Sequence, residues 1–388
     1  MHIPISKTIL SKKDITEVTK CLKSGWLVQG PKVKELEIQW SNFTKAKFSL
    51  AVTSCTTAMY LCLKALGFQK GDEAIVPAFT WISTANVVEQ LGGKVIFCDI
   101  DLNSFNLNVS EIEKKITKKT KFILPVHLFG LSADMDPIVK IAKDRNLIIV
   151  EDAACGFGSF YKNKHVGTFG EVGCFSLHPR KSITTGEGGI ITTNNKDLAE
   201  KISVLRDHGA VTTDLQRHSG PKPFVLSDHI ECGFNARMTD IQGALGYSQI
   251  SRAKDILKER RFIAEKYYKH LSTLKWLDMP FKHKDYVHSF QSFPCLYKPK
   301  EINIDSILDV NRKRNNWMET LNNDGISTRP ATHAVHTLSY YSKKYNLKPK
   351  DFFNSWAASL CSISFPLFNG MKKNEIEYVA NRITEHKI

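Results

Sequence analysis

The stretch LIIVEDA, Leu147 to Ala153, sets an unbroken aliphatic run ahead of two carboxylates. A strand with one face in water alternates apolar and polar residues. A run without alternation has both faces covered, as in the middle of an α/β sheet. Outward from it, β-rich runs recur in EAIVPAF (Glu73 to Phe79), KVIFCDID (Lys94 to Asp101), KFILPVH (Lys121 to His127), GCFSLH (Gly173 to His178) and GGIITTN (Gly188 to Asn194). Helical patterns lie between several of them, as in MDPIVKIAKDRN (Met135 to Asn146), where Pro137 suits a first-turn position. This alternation predicts an α/β fold with a largely parallel sheet, whose ligands bind beyond the carboxyl ends of the strands. Asp152 stands at such an end.

After Arg237 the pattern changes to a long helical region, MTDIQGALGYSQISRAKDILKERRFIAEKYYKHLSTL, reaching Leu274. It is expected to bridge to a second domain of mixed strands (SFQSFPCLYKP) and helices (SILDVNRKRNNWMETLNNDG), dividing the chain into residues 1–250 and 251–388. Asp207 to Asn235 is long and without period, and such loops are functional or disordered.

Composition is that of a soluble globular chain, 42% hydrophobic and 24% charged, with no apolar run near the roughly 18 residues of a membrane span. The N-terminus, MHIPISKTILSKKD, has no apolar secretory core, so a cytoplasmic location is expected. The nine cysteines are scattered without a CxxC pair, which predicts reduced thiols and no disulfide framework or zinc site. HAVH (His333 to His336) has no cysteine or acidic partner nearby in sequence, and no metal is predicted.

A net charge of +15 suits nucleic acid, an anionic membrane surface or an anionic small substrate. The lysines are spread, however, and the densest run, KKITKKTK (Lys114 to Lys121), reads as the solvated end of a helix and its turn, which disfavours nucleic acid. GTFGEVG (Gly167 to Gly173) matches neither the dinucleotide nor the P-loop pattern and reads as a turn.

Lys181, in HPRKSITTGEGG (His178 to Gly189), follows another β-rich run and reaches the same sheet edge as Asp152. An isolated EDA also reads as an aspartate capping the next turn. An aspartate and a lysine converging there match a pyridoxal phosphate site, the carboxylate holding the pyridine nitrogen protonated and the lysine forming the Schiff base. The lysine must be neutral to attack, against a free pKa of about 10.4; desolvation and a neighbouring cation such as Arg180 lower that value. The glycines of GEGG mark a tight turn or a close approach.

Ser54, Cys55, Thr56 and Thr57 open the helical run SCTTAMYLCLKALG, where free N–H groups and the helix dipole favour a phosphate; an ordinary N-cap is the alternative. Trp81, in PAFTWISTAN, offers a flat ring for stacking on a pyridine or for plain packing.

SGWLVQGPKVKELE, SCTTAMYLCLKALGFQKGDEAIVPAFTWISTAN, GGKVIFCDID, ILPVHLFG, ADMDPI, VEDAACGFGSFY, VGTFGEVGCFSLHPRKSITTGEGG, LRDHG, GFNARMTDIQGALG, GISTRPATHAVH and SISFPLF run in order from Ser24 to Phe368. Together they resemble the DegT/StrS-type family of sugar aminotransferases. The resemblance implies a pyridoxal phosphate enzyme of aspartate aminotransferase fold (type I). Such an enzyme has a large domain with a mixed, mostly parallel sheet and a smaller C-terminal α+β domain.

By position, Lys181 matches the internal-aldimine lysine, Asp152 the pyridine-nitrogen partner and Trp81 the stacking aromatic. Thr56, Thr57 and Ser176 match the phosphate cradle. Asn235 matches an asparagine that reaches the cofactor phosphate of the neighbouring subunit, which implies a homodimer with shared active sites. Two positions depart from the family: Cys55 replaces the glycine of an SGT turn, and Cys155 replaces a glutamine that contacts the cofactor's 3-hydroxyl. A branch that removes a sugar hydroxyl has histidine in place of the lysine, and Lys181 argues against it.

The implied reaction moves an amino group from an amino acid, usually L-glutamate, to a keto-sugar. The expected acceptor is the 4-keto-6-deoxyhexose of a nucleotide sugar, for amino-sugar and surface polysaccharide (lipopolysaccharide O-antigen) synthesis. The alternatives are a 3-keto-sugar, a keto-sugar or cyclitol without nucleotide, and a non-catalytic cofactor-binding regulator. His178, Arg180, Arg237, Arg329 and His333 are candidates for substrate or donor contacts, and a nucleotide's phosphates give the basic charge a use.

Overall fold

A computed structural model describes residues 2–212, 215–216 and 224–386. LIIVED becomes the strand Ile148–Asp152, at the centre of a seven-stranded sheet. Across the sheet the order is Phe48–Val52, Gly189–Thr193, Val172–Ser176, Ile148–Asp152, Thr120–Ile123, Glu73–Pro77 and Lys94–Cys98. Gly189–Thr193 pairs antiparallel with both neighbours, and the other pairs are parallel. One reversed strand in a parallel sheet is therefore the topology of the large unit.

The lack of alternation in LIIV has its expected cause. Ile149 packs in a cluster with Ile75, Ile123 and Ile138 on one face, and Val150 in a cluster with Val172, Ile191 and Met59 on the other. Burial of each such side chain contributes about 1.5–3 kcal/mol, so both faces favour the same register.

A three-stranded antiparallel sheet, Leu277–Asp278, Phe293–Tyr297 and Ser362–Phe365, forms a second unit. Its core includes Trp317 and Tyr267, from helices Ile307–Asn323 and Ala253–Leu271. The chain's first residues join it: Ile3 bridges Ile326 and is buried in the same core. From there the N-terminal segment runs back to the large unit, where helices Lys12–Ser24 and Pro31–Thr44 pack on helix Asp240–Ile250. The Asp240 carboxylate accepts the N–H groups of Gly30, Lys32 and Val33 and caps the second of these helices.

The helical region from Met238 to Leu274 departs from the single helix its pattern predicts. It breaks at Ser251 and Arg252, between Asp240–Ile250 and Ala253–Leu271. The Arg252 guanidinium reaches Asp14, a fully buried carboxylate, at 2.6 Å, and that contact favours a turn where composition favours helix. The long segment Asp207 to Asn235 falls partly on residues 213–214 and 217–223, outside the described residues. Its ends pair with each other, Asp207 with Asn235 and Ala210 with His229. No described helix is long and apolar enough to cross a membrane.

Candidate active site

The carboxyl ends of the strands open into a cleft of about 750 Å³. Asp152 stands on its floor, 3% exposed. Its Oδ1 accepts the Ala154 N–H at 3.0 Å, which is the turn cap that EDA suggests, and its Oδ2 accepts the Thr84 hydroxyl at 2.6 Å. A carboxylate has about four lone-pair sites, so Asp152 keeps acceptor capacity toward the cleft.

Lys181 enters from the loop that joins Val172–Ser176 to the reversed strand. Local bonds shape that loop. The Lys181 N–H donates to the His178 carbonyl at 2.8 Å, the Thr185 N–H to the Leu177 carbonyl at 3.0 Å, and the Thr184 N–H to Gln249 Oε1 at 2.9 Å. Gly186 has φ of 84°, which glycine alone adopts without strain. At Gly189 a Cβ would lie 2.5 Å from the Ser54 carbonyl. The glycines of GEGG thus serve a turn and a backbone contact that brings the lysine loop against the Ser54 turn. Lys181 Nζ donates to Cys155 Sγ at 3.1 Å.

Ser54 caps the helix Cys55–Ala65, its Oγ accepting the Thr57 N–H at 3.1 Å. Ser54, Cys55 and Thr56 line the cleft, so the positive end of the helix, with its free first-turn N–H groups, faces it. Thr57 does not line the cleft, and its hydroxyl bonds Ser54 and Thr53 at 2.9 and 3.1 Å. The Cys55 thiol points beneath the turn to the Cys174 carbonyl at 3.3 Å, which is how the turn accommodates a side chain in place of glycine. Burial, with the Asp152 charge adding, pushes that thiol far above its usual pKa.

Trp81 forms part of the wall, 55% exposed, its ring edge-on to His333 at 5.6 Å. The short pairing of His333–Ala334 with Phe79–Thr80 brings the two together. Ser176, His178, Arg180 and Arg329 also line the cleft. Burial, then the Arg180 charge, lowers the pKa of His178. Its Nδ1 accepts the Arg180 N–H at 3.2 Å, so the neutral ring carries its proton on Nε2 as a donor.

Arg237 and Asn235 do not line this cleft. The Arg237 guanidinium is paired with Asp207, and the Asn235 backbone bridges the same residue. Sequence reasoning passed over Thr84, Gln291, whose amide donates to the Arg180 carbonyl at 2.9 Å, and Ile5 and Ser6 of the N-terminal segment. The one signal for Thr84 was its hydroxyl in WISTAN, three residues after Trp81.

A buried carboxylate with spare acceptor sites, an amine on the same floor, an exposed aromatic face and a helix N-terminus fit the pyridine nitrogen, aldehyde, ring and phosphate of pyridoxal phosphate. Fold and site together define a pyridoxal-phosphate-dependent aminotransferase. The sequence profile of the DegT/DnrJ/EryC1/StrS aminotransferase family matches residues 8–384, and the chain belongs to that family.

Among its relatives, GDP-perosamine synthase of Escherichia coli O157:H7 is 34% identical over 99% of this chain and 98% of its own. A spore coat polysaccharide biosynthesis protein, SpsC, of Bacillus subtilis is 34% identical over 99% and 96%. The solved structure of a putative sugar aminotransferase of Streptococcus pneumoniae, in its PMP form, superimposes with a TM-score of 0.90 at 26% identity, covering 98% of each chain. The chain is accordingly a sugar aminotransferase.

Proposed function

We propose that this chain transfers the amino group of L-glutamate to the 4-keto carbon of a nucleotide-linked 6-deoxyhexose, in the synthesis of a surface glycan. The observation that carries the reading is the convergence of Asp152, Lys181 and the Ser54–Thr56 turn on one cleft. A relative named GDP-perosamine synthase supports a nucleotide-linked sugar, and one named for spore coat polysaccharide supports a surface glycan.

Bound in the cleft, pyridoxal phosphate supplies the carbonyl that takes up the amine and a ring that stabilises the charge left when the α-proton departs. Asp152 keeps the ring nitrogen protonated. Trp81 would cover the ring, and Ser54, Thr56 and Ser176, which line the cleft, would hold the phosphate. Lys181 would be the base that removes the donor's α-proton and the acid that passes it on to the cofactor carbon. Cys155, where the family resemblance implies a glutamine, lies beside the Lys181 amine at 3.1 Å and would border the cofactor's 3-hydroxyl.

His178 donates from Nε2 to a substrate hydroxyl, and Arg180, Arg329 and His333 bind anionic groups of donor and acceptor. Asn235, which does not line its own chain's cleft, serves the partner's cofactor phosphate in a homodimer, and Arg237 stands beside that interface.

The test is a spectral titration of the pyridoxamine-loaded protein with nucleotide-linked and free keto-sugars. A nucleotide-linked 4-keto-6-deoxyhexose is expected to restore the visible band of the pyridoxal form. A band restored only by free keto-sugars would contradict the nucleotide assignment.

A further inference from the structure

We propose that Thr84 is a positioning residue whose hydroxyl fixes the Asp152 carboxylate for its pairing with the cofactor's ring nitrogen, and so helps hold that nitrogen protonated; this rests on the cofactor reading above. Thr84 is fully buried on the first turn of helix Ser83–Gln90. Its Oγ1 has three polar neighbours: Asp152 Oδ2 at 2.6 Å, the Trp81 carbonyl at 3.3 Å and Thr80 Oγ1 at 3.4 Å. The hydroxyl has one proton. The nearest acceptor, and the only charged one, is Asp152, so the proton goes there.

With its proton committed, Thr84 Oγ1 is free to accept from the Thr80 hydroxyl. Two hydroxyls in series polarise each other, and the second strengthens the donation to the carboxylate. Thr80 is also fully buried, and it adjoins Trp81. The stretch from Thr80 to Thr84 therefore supplies both the aromatic wall and the donors behind the aspartate.

The consequence follows from charge. A hydroxyl that donates to Asp152 Oδ2 stabilises the carboxylate with which a protonated pyridine nitrogen pairs. Thr84 thus helps keep the proton on the ring and the ring positive. The other titratable groups around Asp152 are Cys55 on helix Cys55–Ala65, Cys174 on the adjacent strand, and Cys155 and Lys181 in the cleft. Burial pushes the Cys55 and Cys174 thiols far up, so neither adds charge at neutral pH. His127, on the neighbouring segment, turns its ring to Glu151 instead.

The experiment compares Thr84→Val, which keeps the shape without the hydroxyl, with Thr84→Ser, which keeps the hydroxyl, in full-length protein loaded with pyridoxal phosphate. The readouts are the dissociation constant of pyridoxal phosphate and the pH midpoint of its visible band. Valine is expected to weaken binding about tenfold or more and to raise the midpoint by roughly one pH unit, because a less positive ring favours the protonated Lys181 linkage. Serine is expected to stay within about twofold of wild type.

Valine equal to wild type on both readouts, or serine losing as much as valine, overturns the inference. If Thr84→Val does not fold, Thr80→Val takes its place, with a smaller rise in the midpoint expected; an unchanged midpoint overturns the inference. Wild-type protein that takes up no pyridoxal phosphate refutes instead the cofactor reading beneath it.

Discussion

Glu151 and Asp152 are adjacent in sequence, both buried, and end on opposite faces of one strand. Glu151 is saturated. Its Oε1 accepts the N–H groups of Phe169 and Gly170 at 2.6 and 2.7 Å, and its Oε2 accepts the Gly167 N–H at 2.6 Å and His127 Nε2 at 2.8 Å. His127 Nδ1 accepts the Ala133 N–H at 3.1 Å, which fixes the ring's proton on Nε2. Asp152 has two donors, Thr84 and Ala154, and an open side facing the cleft. Burial is common to both; spare acceptor capacity separates the residue whose bonds are all spent within the fold from the one left with acceptor sites facing the cleft.

Exchanging the two losses gives the largest effects. Asp152→Asn removes the charge facing the cleft and is expected to cut transamination at least about a hundredfold with little change in melting temperature. Glu151→Gln puts an amide N–H against backbone donors and is expected to cost about 3 kcal/mol of stability, with pyridoxal phosphate affinity of the folded protein nearly unchanged. Thermal unfolding and cofactor titration of both variants check the pair. If Glu151→Gln lost cofactor affinity as Asp152→Asn does, the division would fail.

A smaller effect sharpens the saturated side. His165, on the short strand Lys164–His165 just before the turn that Glu151 holds, accepts the Gly158 N–H on Nε2 and is lowered by burial to a pKa of about 4. Between the unfolded value of about 6.5 and the folded one, the unfolded chain takes a proton that the folded chain refuses. Stability is therefore present above pH 6.5 and falls with acidification, by up to roughly 1.4 kcal/mol per pH unit for this group. Melting temperature followed from pH 7 to pH 5 is expected to drop less steeply for His165→Gln, and equal slopes would remove His165 from the account.

Much of this was legible in sequence because its causes are local. The unalternating LIIV reports a doubly covered strand, Pro137 sits in the first turn of helix Met135–Asp144, and Ser54 caps its helix and lines the cleft because the helix starts at the cleft's edge. The strand Phe48–Val52 was missed; it forms the edge beside the reversed strand, where pairing with Gly189–Thr193 rather than its own composition defines it. The break at Ser251 and Arg252 depends on Asp14, and the role of Thr84 on Asp152, partners far away in sequence that no pattern around either residue announces.

The position of Arg237 shows the same limit. Its charge was visible, but the Asp207 that pairs with it was not. Lys181 is the opposite case, since a strand end, a glycine-marked turn and its partner aspartate all lie in local patterns.

The central claim is that Lys181 carries the cofactor beside Asp152. The most direct measurement is borohydride reduction of the pyridoxal-phosphate-loaded protein, followed by proteolysis and mass mapping. The account predicts one phosphopyridoxyl group, on the peptide containing Lys181, and none in Lys181→Ala. A label on another lysine, or the same label in Lys181→Ala, would contradict it.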